Sequence, residues 1–226
     1  MSQRLERYYD VRTGGYRFEA VFAPMRDYLA ESDYVFANLE TPLSGRTDNL
    51  TNKQYEFCTH ISFAEALKGI GVQCVSTANN HCLDRGYEGL LDTIHCLEKL
   101  GLKHNGIHDV TAKREPVILD IKGCKAGFLS YNYGTNAFSN NQYLPFRERK
   151  AVDLLQAQEE DRPIIRSLYA YMGKHKETAL AKLYFKAREK MIHKPVYERR
   201  NVDFYRKLLL RRDIRALKAK GVDKLF

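Results

Sequence analysis

The chain has 226 residues, of which 44% are hydrophobic, and a formal net charge of +9 at pH 7. This length is sufficient for a buried core in one domain or slightly more. The sequence contains no apolar run of about 18 residues, so it predicts no membrane-spanning helix. The N-terminal segment is charged and lacks the apolar core of a signal peptide, which predicts a cytoplasmic protein or one separated from its anchor.

Helix and strand patterns alternate over the first 131 residues. Apolar spacing predicts helices over 21–30, with Pro24 near the first turn, and over 62–68 and 86–100. Strands are predicted over 34–39 and 72–77, near Lys103, and over 117–121 and 125–131, with a hairpin joint at 122–124. Residues 44–59 are polar and predict a surface loop. The alternation predicts an α/β fold with a layered sheet.

Beyond Pro145 the sequence is helical in pattern and basic in charge. Helices are predicted near 148–172, 176–193 and 202–220, and a strand begins at 222–226. Residues 151–226 carry 19 Lys+Arg and 10 Asp+Glu, whereas residues 1–150 carry 18 of each. Basic helices with interleaved aromatic residues suit an anionic polymer or nucleic acid. The alternative is a solvated face whose aromatic residues pack inward.

The five cysteines are scattered and odd in number, without a Cys-x-x-Cys pair. This pattern argues against a disulfide framework and against a thiolate zinc site. We expect buried free thiols in a reducing compartment.

Polar residues follow three of the predicted strands, and the first group ends the strand at 34–39. Asn38 and Glu40 lie on one face of an extended segment, because side chains there alternate with a period of two. A carboxylate at Glu40 is a suitable ligand for a hard or borderline metal ion. The alternative is that Asn38 closes a turn before Pro42 while Glu40 is solvated.

The second group, Asn79, Asn80, His81 and Asp84, follows the strand at 72–77 and is the strongest indication of a site. Ligands of α/β proteins bind beyond the carboxyl ends of the strands. Asparagine offers a neutral oxygen ligand, and histidine can bind metal or transfer a proton near neutral pH. Asp84 can cap the next helix or orient a neighbour. The alternative is that the tandem asparagines only complete a tight turn.

The third group follows the strand at 125–131 and contains Tyr133, Gly134, Thr135 and Asn136. Gly134 permits a turn whose backbone N–H groups face an anion. An ordinary polar loop is the alternative. Three polar strand ends in one small sheet predict a shared site.

The order of these groups resembles the bacterial capsule-synthesis CapA family, which includes the poly-gamma-glutamate synthesis protein. The most specific likeness is the Asn-Asn-His-x-x-Asp-x-Gly segment at 79–86 combined with Asn38–Glu40. The segments that resemble the family are 37–43, 76–86, 89–93, 125–131 and 133–136. The resemblance covers residues 18–136 and resumes weakly at 202–226.

The resemblance implies a fold similar to calcineurin-type metallophosphoesterases, a two-sheet sandwich flanked by helices, with a dinuclear centre of divalent metal ions (Mn, Zn, Fe or Mg). By this likeness Glu40 is expected to bind metal, with Asn38 beside it and Asn80 as a second ligand. His81 would be the acid or a phosphate contact, and Asp84 would support His81 or its loop. Such a centre acts as a Lewis acid and activates water.

The resemblance also divides the chain into a partial core at 1–145, a basic helical insertion at 146–200 and a return to the core at 201–226 that stops at a strand. Family members usually begin with a strand ending in Gly-Asp and carry two later His-containing motifs, which this sequence lacks. We therefore expect a partial chain with an incomplete site, weak metal affinity and no turnover by itself.

The first function that follows is a capsule or poly-gamma-glutamate biosynthesis protein with metal-dependent hydrolase chemistry. The family likeness places it in the cell envelope, with capsule-synthesis membrane proteins as partners. The second is a non-catalytic envelope-assembly protein whose basic helices bind an anionic polymer, either polyglutamate or capsule polysaccharide. A nucleic-acid partner is the weakest expectation.

Overall fold

The computed structural model describes residues 6–12, 15–48, 50–51, 56–137, 142–155, 168, 171–192 and 204–226. The strands are β1 (Tyr9–Asp10), β2 (Gly15–Tyr16), β3 (Val35–Asn38), β4 (Leu43–Ser44), β5 (Thr59–His60), β6 (Val72–Ser76), β7 (Lys103–Asn105), β8 (Val117–Ile121), β9 (Cys124–Phe128) and β10 (Lys224–Leu225). The α-helices are α1 (Glu19–Phe22), α2 (Arg26–Ala30), α3 (Ser62–Gly69), α4 (Gly86–Leu100), α5 (Ala179–Ile192) and α6 (Phe204–Ala219).

A parallel three-stranded sheet in the order β3-β6-β7 positions the candidate site. The central strand β6 pairs with β3 and β7, and its residues Val72, Cys74 and Val75 are buried. Asn38 at the end of β3 is in register with Ser76 at the end of β6. The carboxyl ends of these parallel strands therefore lie at the same edge of the sheet.

Helices α3 and α4 contribute to the main hydrophobic core with this sheet. Gly101 ends α4 in the left-handed conformation (φ +64°), which a glycine adopts without a Cβ penalty. The buried core residues are Leu39, Leu43, Ile61, Ala64, Leu67, Ile70, Val72, Val75, Cys96, Leu97 and Leu102. Burial of these apolar side chains holds the helices against the strands that carry the polar ends.

The second three-stranded sheet has the order β10-β9-β8. Strands β8 and β9 form an antiparallel hairpin through Lys122 (φ +52°) and Gly123 (φ +83°). Two central residues with positive φ match the type I′ turns that fit the twist of paired strands. Strand β10 pairs in parallel with β9, with Lys224 opposite Ala126, so the C-terminal segment lies in the same sheet as the hairpin.

Most of the predicted elements are confirmed to within a few residues. Strand β9 ends at Phe128 and not at the predicted 131, since the Ser130 N–H donates to the Asn105 side chain (2.9 Å) and leaves the ladder. The helix predicted over 21–30 contains a 3-10 segment at Ala23–Met25, where Pro24 lacks the N–H that an α-helix needs.

The predicted surface loop at 44–59 is wrong at both of its ends. Strands β4 and β5 pair in parallel there, with Leu43 opposite Thr59 and Ser44 opposite His60. Cys58 is also buried in this segment. The polar composition concealed this pairing, because two-residue strands leave no periodic pattern in a sequence.

The helix predicted over 148–172 is wrong over 149–155. Val152 forms a β-bridge with Ile107 and Leu154 forms one with Asn132, and both Val152 and Leu154 are buried. Backbone pairing with the core therefore prevails over local helical spacing. Residues 156–167 and 169–170 lie outside the described residues, and the division into core and insertion stays a prediction.

The arrangement of parallel strands with helical crossovers confirms the predicted α/β class. All five cysteines are free, and four of them are buried. Within the ranges that the structure describes, no helix has the length and apolar character to cross a membrane.

Candidate active site

The candidate site lies where β3 and β6 end side by side, and Asn79 joins them. The Asn79 amide donates to the Leu39 carbonyl oxygen (2.8 Å) and to Asn38 Oδ1 (3.3 Å). Asn79 Oδ1 accepts the His81 backbone N–H (3.1 Å). Because Asn79 is buried, these bonds hold the turn after β6 against the end of β3.

His81 and Asp84 form a buried pair within this turn. His81 Nδ1 lies 2.6 Å from Asp84 Oδ2, and the Asp84 side chain is fully buried. The Phe57 backbone N–H donates to the same Oδ2 (2.7 Å), and the Phe57 ring stacks on the imidazole with centroids 4.0 Å apart. The imidazole is therefore fixed in position by a carboxylate at one nitrogen and an aromatic ring on one face.

Burial raises the pKa of the Asp84 carboxyl above its ordinary value, while the hydrogen bonds from Phe57 and His81 act in the opposite direction. As a carboxylate, Asp84 accepts the proton of Nδ1–H and selects that tautomer of His81. Nε2 then carries the lone pair and is the nitrogen that can accept a proton. This is the chemical arrangement of a histidine that an aspartate orients for general acid–base catalysis.

The loop after β9 meets the same imidazole through Asn136. The Asn136 side-chain nitrogen lies 3.2 Å from His81 Nδ1 and 3.5 Å from Nε2. The Asn136 backbone N–H donates to the Asn80 carbonyl oxygen (2.7 Å), and the Asn80 amide donates to Asn136 Oδ1 (3.3 Å). The second and third polar groups are therefore in direct contact.

The other members of the third group lie along this loop. Thr135 Oγ1 accepts the Ala137 backbone N–H (3.3 Å), which shapes the turn before Asn136. The Asn132 amide donates to the Gly134 carbonyl oxygen, so that oxygen is engaged inside the loop. Tyr133 is exposed. An anion-binding role for Tyr133 to Asn136 stays a prediction.

Asn38 and Glu40 lie at the exposed side of the site. The Asn38 amide donates to Glu40 Oε2 (3.4 Å), and both residues are exposed. Asn38 Oδ1 faces the Asn79 amide, so the first polar group is connected to the second through Asn79. The structure thus brings Asn38, Glu40, Asn80 and His81 to one edge of the sheet, and their roles in a site stay a prediction.

Glu40 is the one carboxylate among these four residues. Among the described residues, no group of three or more His, Cys, Asp or Glu side chains is placed to hold a metal ion. The donors at this edge are the Glu40 carboxylate, two asparagine amides and one imidazole. Neutral amide oxygens are weak ligands for the borderline metals that prefer imidazole or thiolate.

Gly106, which directly follows β7, packs against the start of the turn that carries His81. Gly106 has φ +116°, and a Cβ atom added there would lie 2.4 Å from the Ala78 nitrogen. Ser130 Oγ lies 2.5 Å from Ser76 Oγ and accepts the Ala78 N–H (3.3 Å). The turn that carries His81 therefore begins against the backbone of β7 and the hydroxyl of Ser130.

Comparison with protein families identifies the family of the chain. The sequence pattern of the family described as "Bacterial capsule synthesis protein PGA_cap" matches residues 2–224. The chain belongs to this family. The resemblance read from the order of the polar groups is thereby confirmed.

Curated relatives of this PGA_cap chain match over about two fifths of its length. An uncharacterized protein of Sinorhizobium fredii is 33% identical over 97 residues, which are 41% of this chain and 21% of that protein. The capsule biosynthesis protein CapA of Bacillus anthracis is 33% identical over 95 residues, 40% of this chain and 23% of that protein. A probable polyglutamine synthesis accessory protein of Mycobacterium tuberculosis is 30% identical over 91 residues, 40% of this chain and 24% of that protein. The matches therefore span less than a quarter of each relative.

The sequence did not predict the residues that are distant along the chain but contact the His81 cluster or its loops. Phe57 lies in the segment that was predicted to be a surface loop, yet it contacts both His81 and Asp84. Asn105 and Ser130 align the loops after β7 and β9 with each other. The sequence pattern carries no signal for these contacts, since each joins residues that are more than 20 positions apart.

Proposed function

We propose that the protein takes part in the synthesis of a bacterial capsule or of poly-gamma-glutamate, and that the cluster around His81 is its active site. Membership of the PGA_cap family supports the first part. The names of the Bacillus anthracis and Mycobacterium tuberculosis relatives, which refer to capsule biosynthesis and to polyglutamine synthesis, point in the same direction. Capsule-synthesis membrane proteins are the proposed partners.

The His81–Asp84 pair is the observation that carries the catalytic part of the proposal. The 2.6 Å contact to a fully buried carboxylate fixes the imidazole and leaves Nε2 as its proton-accepting atom. Asn136 of the adjacent loop lies against the same imidazole and helps to hold it in place. Hydrolysis of a phosphate ester or a polymer amide is the reaction class that this arrangement favours.

We further propose the two-sheet architecture of the metallophosphoesterases and a divalent metal ion, Mn, Zn, Fe or Mg, beside this pair. Glu40 would be its charged ligand, with Asn38 and Asn80 as neutral oxygen donors. One carboxylate and two amides are a sparse set of ligands, and the described residues add no further cluster. We therefore expect weak metal affinity, and we assign the proton transfer to His81 without a role for the metal.

Polymer production in the cells that encode this chain tests the function. We expect His81→Gln to lower the yield of capsular polymer strongly, because general acid–base catalysis contributes about 100-fold to 10,000-fold in rate. Asp84→Asn should lower the polymer yield less, since a hydrogen-bonding side chain remains beside Nδ1 of the imidazole. His95→Gln is the matched control, because His95 is exposed on α4.

Two results would contradict the proposal, each in a different part. Full polymer yield from cells that carry His81→Gln would refute the catalytic role of the cluster. An unchanged yield after deletion of the whole gene would refute the role in capsule or polyglutamate synthesis.

Calorimetry of Mn²⁺ binding to the purified protein tests the metal proposal separately. We expect weak binding that Glu40→Gln abolishes, because this substitution removes the charged ligand. Tight binding that Glu40→Gln leaves unchanged would show that other residues hold the metal.

A further inference from the structure

Helix α6 presents a row of four exposed basic residues, Lys207, Arg211, Arg215 and Lys218. At 3.6 residues per turn, these four positions fall within an arc of about 80°. The row is about 16 Å long at 1.5 Å per residue. We refer to these four residues as the basic row.

The opposite face of α6 is anchored to the core, so the orientation of the basic row is determined. Asp213 accepts hydrogen bonds from the Tyr131 hydroxyl (2.6 Å) and from Arg114 (3.0 Å). Arg114 also pairs with the buried Asp153 (2.7 Å). Leu217 is fully buried on the same side of the helix. With this side held inward, the basic row points to solvent.

No carboxylate within the described ranges lies at ion-pair distance from the basic row. The inward residue Asp213 is the one acidic residue of α6, and its nearby basic partners are Arg114 and Arg212. Four like charges along one helix face repel one another and weaken the isolated helix. An arrangement of this kind is stabilised when an external chain of negative charges lies along it.

We propose that the basic row binds a linear polymer of carboxylates, of which polyglutamate is the representative. The choice of carboxylates over phosphates rests on the proposed function in capsule or polyglutamate synthesis. The charge complementarity rests on α6 alone: a flexible polyanion can place successive carboxylates opposite four cations that repeat along about 16 Å.

Fluorescence anisotropy with end-labelled poly-gamma-glutamate tests this inference on the purified chain. We expect Arg211→Glu combined with Arg215→Glu to weaken binding about tenfold at low salt, because two attractive contacts become repulsive. The matched control is Arg26→Glu combined with Lys99→Glu, which changes the net charge equally at exposed positions of α2 and α4. The control should bind like the original chain.

A milder variant combines Arg211→Gln with Arg215→Gln. Glutamine also favours the helix, and it removes the two charges. It should reduce both the affinity and the dependence of binding on salt, because fewer counterions are released from the polymer. Circular dichroism of each variant confirms that α6 is retained.

Each remaining result supports or refutes the inference independently of the His81 proposal. Equal loss of binding in the variant and the control would show that only net charge matters, and would refute a defined site. No binding by the original chain would refute it as well. A DNA oligonucleotide that competes as well as polyglutamate would refute the assignment to carboxylates. Polymer binding that persists in His81→Gln would support a binding site on α6 that does not depend on the His81 cluster.

Discussion

Replacement of Gly106 by alanine tests whether the strand ends approach each other as closely as the structure indicates. A Cβ atom at this position would lie 2.4 Å from the Ala78 nitrogen, 2.6 Å from the Ala78 Cβ and 2.8 Å from Ser130 Oγ. Two of these atoms belong to the start of the turn that carries His81, and they cannot rotate away. Gly106→Ala must therefore displace the turn itself.

Gly71 offers a control with nearly the same backbone conformation. Its φ is +104°, compared with +116° for Gly106, and no atom lies within 4 Å of a Cβ built there. Alanine at either position costs about 1 to 3 kcal/mol because of the positive φ. At Gly106 the overpacking adds about 1 to 3 kcal/mol. We therefore expect Gly106→Ala to be less stable than Gly71→Ala by at least about 1 kcal/mol.

Urea denaturation followed by circular dichroism measures the free energy of unfolding of both variants and of the original chain. In thermal unfolding the same difference would lower the midpoint by about 2 to 4 °C per kcal/mol for a chain of this size. If the two variants lose the same stability, the close approach between β7 and the His81 turn is wrong.

The remaining predictions concern buried polar groups. The buried Leu43 N–H donates to Thr93 Oγ1 (2.9 Å). Thr93→Val removes this acceptor and should lower the free energy of unfolding, measured by urea denaturation, by about 1 to 3 kcal/mol. Thr93→Ser keeps the hydroxyl and should lower it less. Burial, with a smaller effect from His108, lowers the pKa of His104 from 6.5 to about 4. His104 therefore contributes stability that is fully present above pH 6.5. As the pH falls toward 4, the free energy of unfolding decreases by roughly 3 kcal/mol for this reason. His104→Leu should reduce the fall in unfolding free energy between pH 7 and pH 4 by that amount, and an unchanged fall would show that His104 is not neutral in the fold.

The sequence by itself indicated the longer strands and helices of the first 131 residues and the positions where polar groups follow the strands, but not the two-residue strands β1, β2, β4 and β5. Helix α4 could be predicted with its bounds, since the apolar spacing of a 15-residue helix and its terminal Gly101 are local features. For Asp84 the spacing left open a helix cap or the orientation of a neighbour, and the support of His81 was implied by the family resemblance. These signals are local, and a single sequence shows them.

Only the tertiary structure decided which distant groups meet at His81. The Phe57 N–H reaches Asp84 across 27 residues, and Asn136 lies against the imidazole from 55 residues away. No periodic pattern encodes such contacts, because they depend on how parallel strands align after long crossover connections. For the same reason residues 149–155 were predicted to be helical, although their backbone pairs with the core through Val152 and Leu154. The sequence thus indicated which residues form the candidate site, and packing at the edge of the sheet determined their geometry.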